Sequence, residues 1–157
     1  LPLWLDSIGT CIGGALGGPI IGAICGAANN LIYGFTTGDS ITLVYALTSL
    51  GIGLVVGIMA RLGKMEKVNG ALLTSLAGGL AAVLISTPLN VIFWGGTVFA
   101  ATQAANLPVV LGSFLDEVVV DVPDKIITVL IVFAILKGLP KKLTALYDVN
   151  DSVESLD

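Results

Sequence analysis

The sequence contains no histidine, which excludes imidazole acid–base catalysis and histidine ligation of zinc or haem. Its only cysteines, Cys11 and Cys25, lie in apolar stretches and form no Cys-x-x-Cys pair. Free thiols packed as small apolar residues are therefore expected, and not a disulfide or a metal site. There is also no Walker-type phosphate loop and no nucleophile with a base. These absences predict a protein that is not an enzyme and needs no metal or cofactor.

Charged residues are scarce as well, at 11% of the chain, against roughly 25% in a globular domain. Hydrophobic residues reach 55%, and the mean hydropathy is +1.00. With about 20 residues for each membrane-spanning helix, a chain of 157 residues has room for five or six helices. The composition excludes a soluble enzyme, a nucleic-acid-binding protein and a disordered segment. It predicts an all-α integral membrane protein that forms a compact bundle in the lipid bilayer.

Apolar stretches separated by glycine, proline and polar turns predict five visible membrane-spanning helices. Between the first two, a break is expected at residues 17–19. Pro88 interrupts the fourth and frees the backbone carbonyl of Leu84, which predicts either a helix broken at a binding site or a simple kink. The predicted spans are residues 5–17, 19–33, 41–60, 68–94 and 123–136.

The stretch between residues 95 and 122 fits no standard span. Residues 97–106 are small and moderately polar, and residues 108–120 are apolar but end in acids. We interpret residues 97–120 as a re-entrant or interfacial segment before the last helix, because irregular backbone at membrane depth must line a cavity or be buried in protein. An additional short helix is the alternative.

The basic residues predict the orientation. Six of the seven lie in two clusters, residues 61–67 and 137–142, which are separated by two predicted spans. Both clusters can therefore face the cytoplasm, as the positive-inside rule requires. The turn at residues 34–40 and the visible N-terminus then lie outside. Since no signal peptide is visible, a sixth helix is expected upstream of Leu1. Residues 148–157 form a short acidic cytoplasmic tail.

Five polar or aromatic residues from four predicted spans fall in the outer half of this bundle. A stacking wall beside a few convergent polar groups is the usual composition of a small-molecule site. Polar groups at that depth persist only when they pair with each other or with a ligand. The sequence therefore predicts a substrate site that consists of Asp6, Asn30, Asn90, Trp94 and Lys125.

Four of these residues have structural alternatives. Asp6 could cap the first helix, and Asn30 could form hydrogen bonds between helices. Trp94 could belong to an interfacial aromatic belt. Lys125 follows Asp124, so the two could form an intramembrane ion pair, or Asp124 could cap the N-terminus of the last span.

Glycines recur at four-residue spacing in the first two spans. This spacing places them on one helix face and allows two backbones to approach closely. The face could bind a partner membrane protein, or it could pack inside the bundle. The predicted partner-binding residues are Gly14, Gly18, Gly22 and Gly26.

Several stretches together resemble the substrate-binding S components of energy-coupling factor (ECF) transporters. They occur in the same order as in the family and cover nearly the whole chain. The stretches are LWLDSIGT at residues 3–10, the segment 18–30 that begins GPIIGA, the segment 86–96 that begins STPLN, and the segment 124–140 that begins DKII and ends LP.

The resemblance implies a six-helix subunit in the bacterial cytoplasmic membrane that captures a vitamin or similar micronutrient from outside. Residues 1–147 would be a single transmembrane substrate-binding domain, with the first helix of the family upstream of Leu1. The implied partners are a transmembrane coupling subunit and two cytoplasmic ATPases. Related membrane modules are input domains of bacterial sensor kinases, so a ligand-sensing domain is the alternative function.

Overall fold

The computed structural model describes residues 6–96 and 106–140. Within these ranges the chain forms four α-helices and one short 3-10 helix, with no strand, so the predicted all-α class is confirmed. The α-helices are α1 (Ile8–Thr37), α2 (Ser40–Arg61), α3 (Val68–Trp94) and α4 (Val109–Gly138), and the 3-10 helix is Lys64–Glu66.

Helix α1 consists of two segments that reverse direction at Gly18. The backbone of Gly18 has φ +83° and ψ −175°, a conformation that glycine adopts without a Cβ clash, and Pro19 suits the first turn of the next segment. The segments fold back on each other: a Cβ added to Gly22 would lie 2.6 Å from the Cα of Gly14. The predicted break at residues 17–19 is therefore present. We call residues 8–17 the first arm and residues 19–37 the second arm.

Both arms pack closely on α2 through glycines. A Cβ added to Gly14 would lie 2.8 Å from the carbonyl oxygen of Gly53, and Gly22 contacts the same carbonyl. Three backbones therefore meet at one crossing because none of these residues carries a side chain.

The remaining two glycines of the predicted partner-binding face are also used inside the chain. Gly26 contacts the carbonyl of Ser49, and Gly18 faces the guanidinium of Arg61. All four glycines, Gly14, Gly18, Gly22 and Gly26, are buried. Their close contacts are made within the bundle, which favours the alternative of internal packing, and partner binding by this face stays a prediction.

The segment before the last predicted span is helical. Helix α4 runs without a break for 30 residues and contains Pro123 in its interior, so the re-entrant or interfacial interpretation is wrong for residues 109–120. The part of that prediction at residues 97–105 lies outside the described residues. Proline removes one backbone hydrogen bond, which packed membrane helices tolerate. Pro88 likewise lies inside continuous helix α3, so the broken-helix alternative is also wrong.

Three of the described helices, α1, α2 and α3, are long and apolar enough to cross a membrane. Helix α4 is as long as α1, but five charged residues between positions 116 and 125 interrupt its apolar sequence. Because the described residues show four helices, the predicted number of five or six spans is not confirmed. The second arm of α1 is about 28 Å long at 1.5 Å per residue, and the first arm about 15 Å.

The two ends of the bundle differ in composition. We call the end that holds Arg61, Lys67 and Lys137 the basic end. Helix α1 packs mainly on α2, α3 packs on α4, and contacts between α2 and α3 join the two pairs. A core of buried apolar side chains fills the half towards the basic end: Cys11, Ile52, Val56, Met65, Ala71, Ala82, Val129 and Val132.

Candidate functional site

A cavity of about 700 Å³ lies in the half of the bundle away from the basic end. Its walls come from the N-terminal halves of α2 and α4 and the C-terminal end of α3. Asp6 and Ser7, which precede α1, and Asn30 on the second arm complete it. Because α2 and α4 run towards the basic end and α3 runs away from it, these three portions lie at the same level. Ile52 belongs to both the cavity wall and the apolar core, and so marks the boundary between them.

All five residues predicted from the sequence as the substrate site line this cavity. Asp6 lies at its exposed edge, whereas Asn30, Asn90 and Lys125 are at most 4% exposed, and Trp94 is 40% exposed. The structure thus brings together side chains that are as many as 119 positions apart in the chain. Their function in substrate binding stays a prediction.

Glu117 is the centre of a hydrogen-bond network on the α4 wall. The hydroxyl of Tyr45 donates to Glu117 Oε1 over 3.3 Å, and Asn90 Nδ2 donates to the same oxygen over 3.2 Å. One turn further along α4, Asp121 accepts a hydrogen bond from Ser86 Oγ over 3.3 Å. The two carboxyl groups are therefore held towards α2 and α3 by neutral donors.

Two aromatic rings form the upper wall of the cavity. Tyr45 on α2 stacks on Trp94 at the end of α3, with ring centroids 5.7 Å apart and an angle of 16° between the planes. We call these two residues the aromatic pair. Trp94 therefore contacts another helix, which a simple lipid-facing anchor would not require. Tyr33, Phe35 and Phe93, at 57%, 74% and 58% exposed, have the exposure of interfacial anchors.

Asn30 connects α1 to α2. Its Oδ1 accepts from Ser49 Oγ over 3.1 Å, and its Nδ2 donates to the carbonyl of Thr42 over 3.4 Å. The predicted interhelical hydrogen bonding is therefore present, and it orients the amide at the cavity wall. The two interpretations of Asn30 are compatible.

Asp124 and Lys125 form a buried ion pair, and Lys125 lines the cavity. The predicted intramembrane pair is confirmed. The alternative, that Asp124 caps the start of the last helix, is wrong because α4 begins 15 residues earlier at Val109. Removing two charges from water is unfavourable unless they pair, so the pair indicates how Lys125 is accommodated at this depth.

Asp39 lines the cavity at the turn between α1 and α2. Its side chain accepts hydrogen bonds from the Thr42 hydroxyl and from the backbone N–H of Ile41, and so caps the N-terminus of α2. The hydrogen bond from Thr42, and secondly that from Ile41, lower the pKa of Asp39 below its ordinary value. The carboxylate is therefore ionised at neutral pH.

Several lining residues were not predicted as site residues. Interpreting Pro123 as the start of a helix hid the polar spacing of α4, where acids and hydroxyls recur every three or four residues on one face. The same spacing on α3 places Ser86 and Trp94 on either side of Asn90. These spacings on α4 and α3 would have indicated Ser86, Asp116, Glu117 and Asp121, and the lining residues missed on α2 include Tyr45, Thr48 and Ser49.

The site gives no indication of a metal centre: across residues 6–96 and 106–140, no three His, Cys, Asp or Glu side chains are grouped so that they could hold an ion. The groups that line the cavity are carboxyls, amides, hydroxyls and one lysine, beside aromatic and aliphatic side chains. Such groups can bind and orient a small molecule.

The apolar helices, and the cavity on which polar side chains converge, together define a multi-pass membrane protein with a small-molecule-sized site. Residues 2–146 match the family described as ECF transporter, substrate-specific component. The match covers most of the chain, and the chain belongs to this family. It is therefore the substrate-specific subunit of an ECF importer, as the sequence resemblance implied, and the match gives no support to the sensor-kinase alternative. Searches of curated proteins and of solved structures gave no match.

Proposed function

We propose that the cavity is where this subunit captures a small, water-soluble micronutrient, such as a vitamin, from outside the cell. One observation carries the proposal: side chains from all four described helices converge on a single cavity, and they include all five residues predicted from the sequence. Its volume of about 700 Å³ falls within the roughly 300–1,000 Å³ of small-molecule pockets. The cavity is thus large enough to enclose most of such a substrate.

The proposed orientation places the cavity towards the outside of the bacterial cytoplasmic membrane. It follows from the positive-inside rule, since Arg61, Lys64 and Lys67 lie at the opposite end of the bundle. Energy for uptake would come from two ATPases acting through a transmembrane coupling subunit, because the chain has no Walker-type phosphate loop. Co-purification of these three partners with the tagged chain from its native membrane tests the assembly.

Binding at the cavity is tested by the amount of small molecule that the purified protein retains. Asn90→Ala and Trp94→Ala should each reduce retention at least about tenfold, which corresponds to about 1.4 kcal/mol of binding free energy. The first change removes the amide beside Glu117, and the second removes half of the aromatic pair. Retention is measured by mass spectrometry of the ligand released on denaturation, with the protein prepared from membranes of its native host.

Two substitutions outside the cavity are matched controls. Asn69→Ala changes an exposed asparagine at the basic end of α3, the helix that carries Asn90, and Phe35→Ala removes an exposed aromatic ring. Both should retain as much ligand as the unchanged protein. If folded Asn90→Ala and Trp94→Ala proteins retained as much as the controls, the cavity would not be the substrate site.

The orientation is tested by labelling single cysteines in intact cells. Thr37 and Lys64 are both exposed and lie at opposite ends of the bundle. A membrane-impermeant maleimide should label Thr37→Cys in intact cells and Lys64→Cys only after permeabilisation, with the unchanged chain as the control for Cys11 and Cys25. The reverse pattern would place the cavity on the cytoplasmic side and contradict the proposal.

A further inference from the structure

The cavity contains an excess of hydrogen-bond acceptors over cationic groups. Lys125 is the one positively charged side chain among its described lining residues, and it is already paired with Asp124. Five carboxyl groups line the same cavity, namely those of Asp6, Asp39, Asp116, Glu117 and Asp121.

Two of these acids are placed so that a cation would stabilise them. Lys125, one turn from Asp121, attracts that carboxyl group, but among the described residues its ion-pair contact is with Asp124. The hydrogen bonds that Glu117 and Asp121 accept from α2 and α3 come from neutral donors. The two side chains are one helical turn apart, a spacing at which like charges repel. Desolvation adds to that cost. A positive charge between them would reduce both effects.

An unpaired amide oxygen provides an independent indication of a ligand. Asn90 is 2% exposed, and its Nδ2 donates to Glu117, but its Oδ1 has no hydrogen-bond partner among the described residues. A buried acceptor without a partner is unfavourable, because it loses its hydrogen bonds to water and gains none in return. Because Asn90 lines the cavity, an N–H group of a bound molecule can supply the missing donor.

The aromatic pair lies directly beside these acceptors. The hydroxyl of Tyr45 bonds to Glu117, and its ring stacks on Trp94. A planar ring can therefore stack at the pair while a group attached to it reaches the acceptors. The ring faces also attract cations, and more strongly where water is excluded.

We propose that the substrate is an organic cation that carries a planar ring. Its charged N–H group lies between Glu117, Asp121 and Asn90 Oδ1, and its ring stacks at the aromatic pair. This proposal rests on the proposed function, since it assigns a chemical class to the molecule held in the same cavity.

Three probes of nearly equal shape but different charge test this class: benzamidine (cationic), benzamide (neutral) and benzoate (anionic). Binding to the purified, ligand-free full chain is measured by titration calorimetry up to millimolar concentration. Benzamidine should bind at least about tenfold more tightly than either of the other two, a difference of about 1.4 kcal/mol. Its affinity should also fall as the salt concentration rises.

Matched amide substitutions locate the charge. Glu117→Gln should weaken benzamidine binding at least tenfold, whereas Glu66→Gln, an exposed glutamate at the basic end, should leave it unchanged. Asp121→Asn is the second cavity variant and serves if Glu117→Gln does not fold. Equal weakening by Glu66→Gln would indicate non-specific attraction and overturn the proposal.

The remaining outcomes distinguish an error in the proposed substrate class from an error in the proposed site. If benzamide or benzoate bound as tightly as benzamidine and lost affinity in Trp94→Ala, the cavity would be the site but the cationic class would be wrong. If no probe bound, the class of ring-bearing cations would be wrong as well. The proposed function is tested separately by ligand retention in Asn90→Ala, which does not depend on these probes.

Discussion

The two halves of the bundle use the same helices for different purposes. Towards the basic end, small side chains such as Val56, Ala82 and Val132 are completely buried, and glycines bring α1 against α2. At the other end, α2, α3 and α4 carry hydroxyl, amide, carboxyl and aromatic groups around a cavity of about 700 Å³. The comparison shows how one bundle can be stable and still enclose space: close packing in one half fixes the helices, so the other half can remain open.

The largest effect of a substitution on stability is expected where the two halves meet, at the buried ion pair of Asp124 and Lys125. Lys125→Met keeps the length of the side chain but leaves Asp124 without its cation, which should destabilise the protein by about 3–5 kcal/mol. Chemical unfolding in detergent measures this difference. The double variant Asp124→Asn with Lys125→Met should recover part of the loss. If Lys125→Met were as stable as the unchanged protein, the ion pair would not stabilise the region where the two halves of the bundle meet.

An intermediate effect is expected in the packed half. In Gly22→Ala, the new methyl group would contact the carbonyl of Gly53 and the Cα of Gly14, so the helices must move apart. Such overpacking destabilises by about 1–3 kcal/mol. Gly9→Ala is the control, because a Cβ at Gly9 meets no atom within 4 Å. Equal thermal stability of the two variants would contradict the proposed close packing of α1 on α2.

The smallest effect is expected at the edge of the cavity, where Asp39 caps α2. Asp39→Ala removes the hydrogen bonds to Thr42 and Ile41 and should lower Tm by only a few degrees at pH 7. Because the folded-state pKa of Asp39 is lowered, its stabilising effect is present above the ordinary aspartate value of about 3.9. It is lost as pH falls through the lower folded-state pKa. Melting curves across this range should therefore converge at acid pH, and a constant difference would exclude the ionised cap.

Local turn chemistry and residue depth could be predicted from the sequence. Gly18-Pro19 predicted a reversal because glycine permits its backbone angles and proline suits the start of a helix. The ion pair of Asp124 and Lys125 was predicted because a buried charge needs a partner. The five predicted site residues line one cavity because the helix directions, deduced from the basic clusters, placed them at the same end.

Other features could not be deduced because the local sequence pattern fits two different structures equally well. A face of spaced glycines has the same pattern whether it packs inside a bundle or against another protein, and here Gly14 and Gly22 pack inside. Proline can begin a helix or lie within one that neighbours support, so Pro123 was placed wrongly. Tyr45 lies in an apolar span, and its place in the site depends on the approach of Glu117 from α4.

The charged face of α4 also has a consequence for membrane insertion. At the centre of a bilayer, each aspartate or lysine opposes insertion by about 2.5–3.5 kcal/mol, and α4 carries five charged residues between positions 116 and 125. We expect α4 to enter the bilayer poorly as an isolated segment. Ser86 and Asn90 on α3 and Tyr45 on α2 supply the hydrogen bonds to its acids. Helices α2 and α3 would therefore assist the insertion of α4 into the bilayer, and the cavity would form when α4 inserts.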